Sequence, residues 1–204
     1  SMDDCRYIFT KTDGTPANFG SFTWAEPFSE GFAAVEQTEG NDSLWGFINK
    51  KGDLVVKPMF TWVGKFGSGL APVCIGTSTE NCTIGFINTS GEFEINPQYE
   101  YFEFYDSESS WGNYPQHGFF EGLARVMVDQ KIGYIDSTGK MVIKPQFTYG
   151  GNFVNGLARV KVNGKMGFIN KKGELVVPAI YDNAFNFYQG RAAVEVDGKW
   201  GFIS

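Results

Sequence analysis

The stretch GFINKKGELVVPAIY at residues 167–181 decides the fold, because close copies of it recur along the chain. The copies are GFINKKGDLVVKPMF at 46–60, GFINTSGEFEINPQY at 85–99 and GYIDSTGKMVIKPQF at 133–147. A further start, at Gly201, is followed by only three residues. One pattern that returns at a regular spacing of this size is typical of a repeat protein.

The basic period is 34 residues, and two units carry insertions. Successive starts, counted from Gly46, lie 39, 48, 34 and 34 residues apart, so the insertions contain 5 and 14 residues. We therefore expect a single domain over residues 1–204, divided into units. These are a degenerate first unit at 5–45, units at 46–84, 85–132, 133–166 and 167–200, and a partial unit at 201–204.

Each unit is predicted to form three short strands. Residues 157–162 alternate between apolar and polar, which indicates a half-buried strand. The following Asn163-Gly164 favours a type I′ hairpin turn, and Asp197-Gly198 repeats this signal one period later. A second strand follows at 165–170 and a third at 174–177. We expect proline to end each third strand, because it has no N–H to donate to the ladder: Pro58, Pro97, Pro145 and Pro178.

Recurring aromatic and glycine positions indicate how the units pack. One aromatic follows each proline and another precedes the next glycine by three residues, and both are expected to be core wedges between units: Phe60, Tyr99, Phe147, Tyr181 and Phe28, Phe66, Phe119, Phe153, Phe187. The glycine of each Gly-Phe-Ile step lies inside a strand, where glycine is unfavourable. Something is therefore expected to pack where its Cβ would be, with the ring of Trp45 or Trp200 as the candidate.

These observations predict an all-β fold of tandem three-stranded β-meander repeats, about five units in number. An open twisted array is favoured. The alternative is a closed propeller-like ring, because the chain both begins and ends inside a unit.

The step Lys199-Trp200-Gly201, with Trp45-Gly46 as its second clear copy, resembles the WG repeat family. The Gly-x-x-Val-Val-x-Pro and Phe-x-x-Gly-Leu-Ala-x-Val steps match as well, although Ile84, Ile132 and Met166 replace the tryptophan in three units. The resemblance implies a bacterial β-rich repeat protein, of a kind often without a known role and sometimes exposed on the cell surface. It implies no catalytic residues.

Charge and composition exclude several classes of partner. A net charge of −6 and a pI near 4.9 argue against nucleic acid and against anionic membranes. No apolar run reaches the roughly 18–20 residues that cross a bilayer, so membrane insertion is not expected. No leader is recognisable at the first residues, which leaves bacterial surface, secreted and cytoplasmic locations open.

Cys74 and Cys82 flank the loop of one predicted hairpin. The sequence leaves two states open for them, a disulfide between the two or a pair of free thiols.

The candidate binding site is the segment 98–120, which contains the 14-residue insertion and His117, the only histidine. Aromatic and acidic side chains are interleaved there, and loops on a rigid scaffold often carry recognition. The predicted binding residues are Tyr101, Phe104, Tyr105, Trp111, Tyr114 and His117, although His117 alone reads as an ordinary loop residue. The alternative is that the loop folds back over a weak point of the core.

The expected function is a non-catalytic binding module, with a protein partner favoured over a ligand. The first alternative is a carbohydrate-binding or glycan-processing surface protein, and the second is a structural spacer. Loop acids such as Glu103, Asp106 and Glu108 could form a glycosidase pair or a weak calcium site, but solvated acids are far more common. We expect no enzyme, catalytic residue, metal or cofactor, because one histidine excludes a multi-histidine zinc site and no nucleophile or phosphate-binding motif is present.

Overall fold

The computed structural model describes residues 9–10, 13–15, 17, 19–39, 42–79, 81–102 and 117–204, and each structural statement concerns these residues. They contain nineteen β-strands and no helix. The chain divides into two compact units, residues 1–101 and 102–204. The expectation of one domain over the whole chain stays a prediction.

The first compact unit holds two antiparallel sheets whose strands follow chain order. Four strands form the first sheet: β1 (Trp24–Ala25), β2 (Phe32–Glu39), β3 (Asp42–Asn49) and β4 (Leu54–Phe60). The next four strands pair with one another in the same chain order: β5 (Trp62–Val63), β6 (Ala71–Ser78), β7 (Asn81–Ile87) and β8 (Phe93–Glu100).

The second compact unit continues the same meander. Its first two groups of four are β9 (Phe119–Phe120), β10 (Leu123–Val128), β11 (Lys131–Asp136) and β12 (Met141–Phe147), then β13 (Tyr149–Gly150), β14 (Leu157–Val162), β15 (Lys165–Asn170) and β16 (Leu175–Tyr181). The last group has three strands, β17 (Asn183–Ala184), β18 (Ala192–Val196) and β19 (Lys199–Ile203). None of the described sheets closes into a barrel, and the predicted all-β repeat fold is confirmed.

The structure adds a two-residue strand at the start of each sheet to the three predicted strands. At β5, β13 and β17, the chain that follows the third-strand aromatic runs antiparallel to the next long strand. Trp62 thus lies opposite Cys74, and Val63 opposite Val73. The link between units contributes ladder hydrogen bonds instead of remaining an irregular loop.

The predicted type I′ turns are confirmed by the backbone. Asn163 and Gly164 have φ of 50° and 81°, and Asp197 and Gly198 have φ of 50° and 71°. Positive φ at both central residues gives the turn the twist that the flanking strands require.

The prediction that proline ends the third strand is wrong. In β16 the strand continues through Pro178 to Tyr181. Val177 lies opposite Phe168 and Tyr181 opposite Met166, so residues 178–180 bulge over Gly167 alone. A proline inside a bulge needs no ladder hydrogen bond, which explains why the strand tolerates it.

This bulge also identifies the neighbour of the motif glycine, which is backbone and not a tryptophan ring. A Cβ on Gly133 would lie 2.7 Å from the Ile143 carbonyl oxygen and 2.8 Å from the nitrogen of Pro145. The prediction that the ring of Trp45 or Trp200 packs against this glycine is therefore wrong. A side chain here would collide with the adjoining strand, and only glycine avoids the collision.

Six of the nine predicted aromatic wedges are buried in the core, and Phe28, Tyr181 and Phe187 are partly buried. Three phenylalanines that precede a turn glycine pack edge-on against the ring of the preceding second strand. The ring centroids are 4.9 Å apart for Phe66 and Phe47, 5.0 Å for Phe153 and Tyr134, and 4.9 Å for Phe187 and Phe168. Edge-to-face pairs at this distance add to the hydrophobic contribution of burial.

A disulfide links Cys74 in β6 to Cys82 in β7, with 5.7 Å between the two Cα atoms. It decides between the two states that the sequence left open. Because Cys74 lies opposite Ile84 and Cys82 opposite Gly76, the bond crosses the hairpin diagonally.

Candidate binding surface

The described residues include both ends of the segment 98–120 and leave out its middle. Four predicted site residues lie outside the described residues, as do the acids that were weighed for catalysis or calcium: Phe104, Tyr105, Trp111, Tyr114, Glu103, Asp106 and Glu108. Tyr101 and His117 are described, each in a different compact unit.

Tyr101 lies at the first end of the segment and is half-buried. Its ring packs edge-on against Trp62, with the centroids 5.7 Å apart and the planes at 66°. Trp62 is held in β5 by pairing with Cys74, the residue of the disulfide. The start of the segment is thus attached to a covalently stapled hairpin.

His117, at the other end, is a core residue. Its side chain is buried, and its ring lies edge-on to Phe102 at a centroid distance of 4.5 Å. The interpretation of His117 as an ordinary loop residue is therefore wrong. Its proposed role in binding remains a prediction, and the residue is 5% exposed.

Burial lowers the pKa of His117 to about 3, because charging the ring there would cost hydration. The positive charge of Arg125 adds to this effect, and a hydrogen bond with the Phe102 backbone opposes it. The imidazole is neutral at neutral pH, so it packs as a polar aromatic ring and does not present a cation.

Arg125 packs against Phe102, the residue at which the first described part of the segment ends. Its guanidinium is buried and lies 5.8 Å from the centre of the Phe102 ring, within the range of a cation–π contact. Nη1 donates a hydrogen bond to the Gly150 carbonyl oxygen at 3.0 Å. The side chain therefore connects the base of the insertion to the following sheet.

Arg159 repeats this arrangement one period later, where the chain has no insertion. Its Nη1 donates to the Ala184 carbonyl at 2.6 Å, and its Nε donates to Asn186 Oδ1 at 3.0 Å. The guanidinium also lies 5.9 Å from the Tyr149 ring. Because Gly150 and Ala184 occupy the same place in their units, both arginines act primarily in joining successive sheets.

Sequence reasoning missed these two arginines: the strand at 157–162 was read only as alternating between apolar and polar, which makes Arg159 a polar residue facing solvent. A usable signal was present. The same position of the Leu-Ala-x-Val step is Ala34, Pro72 or Ala193 in the other units. A charge at a position that otherwise holds a small or apolar residue indicates a buried, hydrogen-bonded cation.

The turn that follows the insertion is also tied to its neighbour. Glu121 Oε2 accepts a hydrogen bond from the Gly156 N–H at 2.9 Å and lies 3.2 Å from Lys171 Nζ. Glu30 does the same in the first compact unit, where it accepts from the N–H groups of Ser68 and Gly69 at 2.9 and 2.8 Å. These contacts fix the hairpin tips from one repeat to the next.

The described residues do not bring metal-ligating side chains together in a cluster. Among them, no group of three or more His, Cys, Asp or Glu side chains could hold a metal ion. An open depression of about 380 Å³ lies on the first sheet, lined by Gln37, Asp42, Leu44, Leu54, Lys57 and Pro58. The described ranges of the chain contain no helix long and apolar enough to span a membrane.

Comparison with protein families identifies the repeat. A family model described as WG containing repeat matches residues 21–40, 45–76, 84–109, 132–165 and 166–200. The five matches cover well over half of the chain and follow the period found in the sequence. Among curated proteins, none matches the chain significantly.

Proposed function

Since the chain belongs to the WG containing repeat family, we propose that it is a non-catalytic module that binds another protein through the segment 98–120. The scaffold supplies rigidity, and the insertion supplies the one large departure from the repeat. Function on repeat scaffolds resides in such additions and not in the fold itself.

The observation that supports this proposal most strongly is the buried base of the insertion. Phe102, His117 and Phe119 are all in the core of the second compact unit. A loop that starts and ends on fixed residues loses less conformational entropy on binding than a freely moving one. This favours a recognition role over a loose linker.

The composition of the insertion fits a protein partner. Trp111 and Tyr114 are of the residue types that contribute most at protein interfaces, and the acids around them suit a partner with basic residues. The net charge of −6 would speed the approach of such a partner.

The test compares affinity enrichment from an extract of the source cells with purified chain, a Trp111→Ala/Tyr114→Ala variant and a Tyr188→Ala control. Tyr188 is an exposed tyrosine far from the insertion in sequence. A specific partner should be retained by the chain and the control, and its affinity for the double variant should fall about tenfold or more when remeasured with purified components. Equal binding to all three would place the interface elsewhere.

Carbohydrate binding is the second candidate, supported by the half-exposed rings of Trp62 and Tyr101 beside the exposed Glu100. Aromatic rings flanked by hydrogen-bonding groups suit sugar recognition. A glycan array and a hydrolysis assay separate this function from the first. If deletion of residues 103–116 changes neither protein nor glycan binding, the segment is a spacer.

A further inference from the structure

The sequence contains two Asn-Gly dipeptides, Asn155-Gly156 and Asn163-Gly164, and each follows a valine. Both dipeptides form a two-residue turn between antiparallel partners. The φ angles of Asn155 and Gly156 are 53° and 78°, and those of Asn163 and Gly164 are 50° and 81°. The two turns therefore share their residues, the preceding side chain and their backbone conformation.

An asparagine that precedes a glycine is open to loss of ammonia. The backbone nitrogen of the glycine attacks the side-chain carbonyl carbon, and the new C–N bond closes a succinimide ring. The proton of the attacking N–H passes through solvent to the departing amine, which leaves as ammonia. Water then adds to either ring carbonyl and opens the ring to aspartate or isoaspartate. Glycine favours ring closure because it has no Cβ to hinder the approach of its nitrogen.

The contacts of the first turn oppose this reaction. The Gly156 N–H, which is the attacking group, donates a hydrogen bond to Glu121 Oε2 at 2.9 Å. Asn155 Nδ2, the group that would leave, donates to the Phe187 carbonyl oxygen at 2.9 Å. Because ring closure has to break both hydrogen bonds, the folded chain protects Asn155.

The second turn is not held in this way. Asn163 and Gly164 are both exposed. Within the described part of the chain, neither the Asn163 amide nor the Gly164 N–H forms a hydrogen bond. Rotation of the carboxamide towards the Gly164 nitrogen is opposed by the turn alone, and exposed loop tips open at a small cost in free energy.

We propose that Asn163 is a site of spontaneous deamidation in the folded protein, and that the contacts of Asn155 and Gly156 shield the second Asn-Gly dipeptide from the same reaction. Water is the only other reactant. The proposal is independent of whether the segment 98–120 binds a partner.

The two products differ in their effect on the hairpin of β14 and β15. Aspartate already occupies the first turn position of two other hairpins, at Asp129 and Asp197, each with a φ of 50°. Conversion of Asn163 to aspartate therefore keeps the turn and adds a negative charge. Isoaspartate carries the side-chain methylene in the backbone and lengthens the loop. Because loop length fixes the register of a hairpin, isoaspartate should loosen β14 and β15.

The test follows both sites in the same molecules. The purified full chain is incubated in a mildly alkaline buffer made with heavy-oxygen water, digested under acidic conditions and analysed by mass spectrometry with fragmentation that separates aspartate from isoaspartate. Heavy oxygen should accumulate at Asn163 at least about tenfold faster than at Asn155. In concentrated urea the two sites should react at similar rates, because each lies between a valine and a glycine.

Two variants identify the cause. Glu121 is exposed, so Glu121→Ala should fold, and release of the Gly156 N–H should raise the rate at Asn155 towards that at Asn163. Asn163→Asp should keep the melting temperature of the fresh chain, whereas chain that has accumulated isoaspartate should melt lower.

Three results would overturn the proposal. The first is equal conversion of the two sites in the folded chain, or faster conversion of Asn155. The second is no conversion of Asn163 in the folded chain under conditions in which the chain in urea reacts. The third is an unchanged rate at Asn155 in Glu121→Ala, because the shielding contact would then be wrong. Equal melting temperatures of the isoaspartate-containing chain and Asn163→Asp would overturn the effect assigned to isoaspartate.

Discussion

A Cβ atom on Gly85 would lie 2.7 Å from the backbone nitrogen of Pro97. Gly85 and Pro97 come from neighbouring strands, and the third strand bulges so that its backbone rests on the glycine. Glycine permits this approach, while proline occupies a position where no ladder N–H is needed. The two most regular features of the repeat are thus two sides of one contact.

The burial of His117 predicts a specific pH dependence of stability. Its pKa is about 3 in the folded chain and near the ordinary 6.5 in the unfolded chain. Between these values the unfolded chain binds one more proton, so this contribution is complete above pH 6.5 and falls as the pH is lowered towards 3. One proton corresponds to a slope of up to about 1.4 kcal/mol per pH unit.

Urea unfolding of the chain and of His117→Gln at pH 7, 6 and 5 checks this prediction. The variant keeps a side-chain donor but cannot titrate, so the difference in unfolding free energy between the two proteins should shrink as the pH falls. The carboxylates are shared by both proteins and cancel in the comparison. Parallel pH profiles would show that His117 is not buried as described.

Arg159 is expected to contribute strongly to stability through its hydrogen bonds to Ala184 and Asn186. Arg159→Ala removes both donors from a buried site and should cost about 2–4 kcal/mol of unfolding free energy. The matched control is Arg191→Ala at an exposed position, which should change it by less than about 0.5 kcal/mol. If both variants lose a similar amount of unfolding free energy, Arg159 does not join the two sheets as described.

The disulfide between Cys74 and Cys82 is expected to stabilise the hairpin of β6 and β7. The bond joins residues separated by eight positions. Loss of chain entropy from the unfolded state for so short a loop corresponds to roughly 2–3 kcal/mol. Denaturant unfolding with and without a phosphine reductant measures this contribution, and a Cys74→Ala/Cys82→Ala variant should not respond to the reductant. An equal response of the variant would show that the reductant acts through something other than this bond.

Much of the fold was predictable because the same turn dipeptides and aromatic positions recur in successive units. Turn dipeptides such as Asn163-Gly164 specify backbone angles locally, and aromatic positions such as Phe66 and Phe153 recur at constant offsets. Strand number, turn type and core wedges depend on such local chemistry. The same recurrence makes the family recognisable from residues alone.

The contacts across strands were harder to predict. Proline was predicted to end the third strand, because its missing N–H can be read from the sequence. The bulge that lets the strand continue through the proline depends on how the third strand pairs with the second, which the sequence does not show. The burial of His117 depends likewise on packing against Phe102, which precedes it by fifteen residues on the other side of the insertion. In the candidate site, the sequence indicated the insertion but not which of its flanking residues belong to the core.

The unfolding free energies of five equivalent Gly→Ala variants test the central claim most directly, which is that each repeat is completed by a third strand resting on its motif glycine. The four variants at Gly46, Gly85, Gly133 and Gly167 each place a Cβ against the bulge and should each lose about 1–3 kcal/mol or more. Gly201→Ala, in the sheet without a third strand, should lose nothing. Equal losses at all five positions, or no loss at any of them, would contradict this account of the repeat.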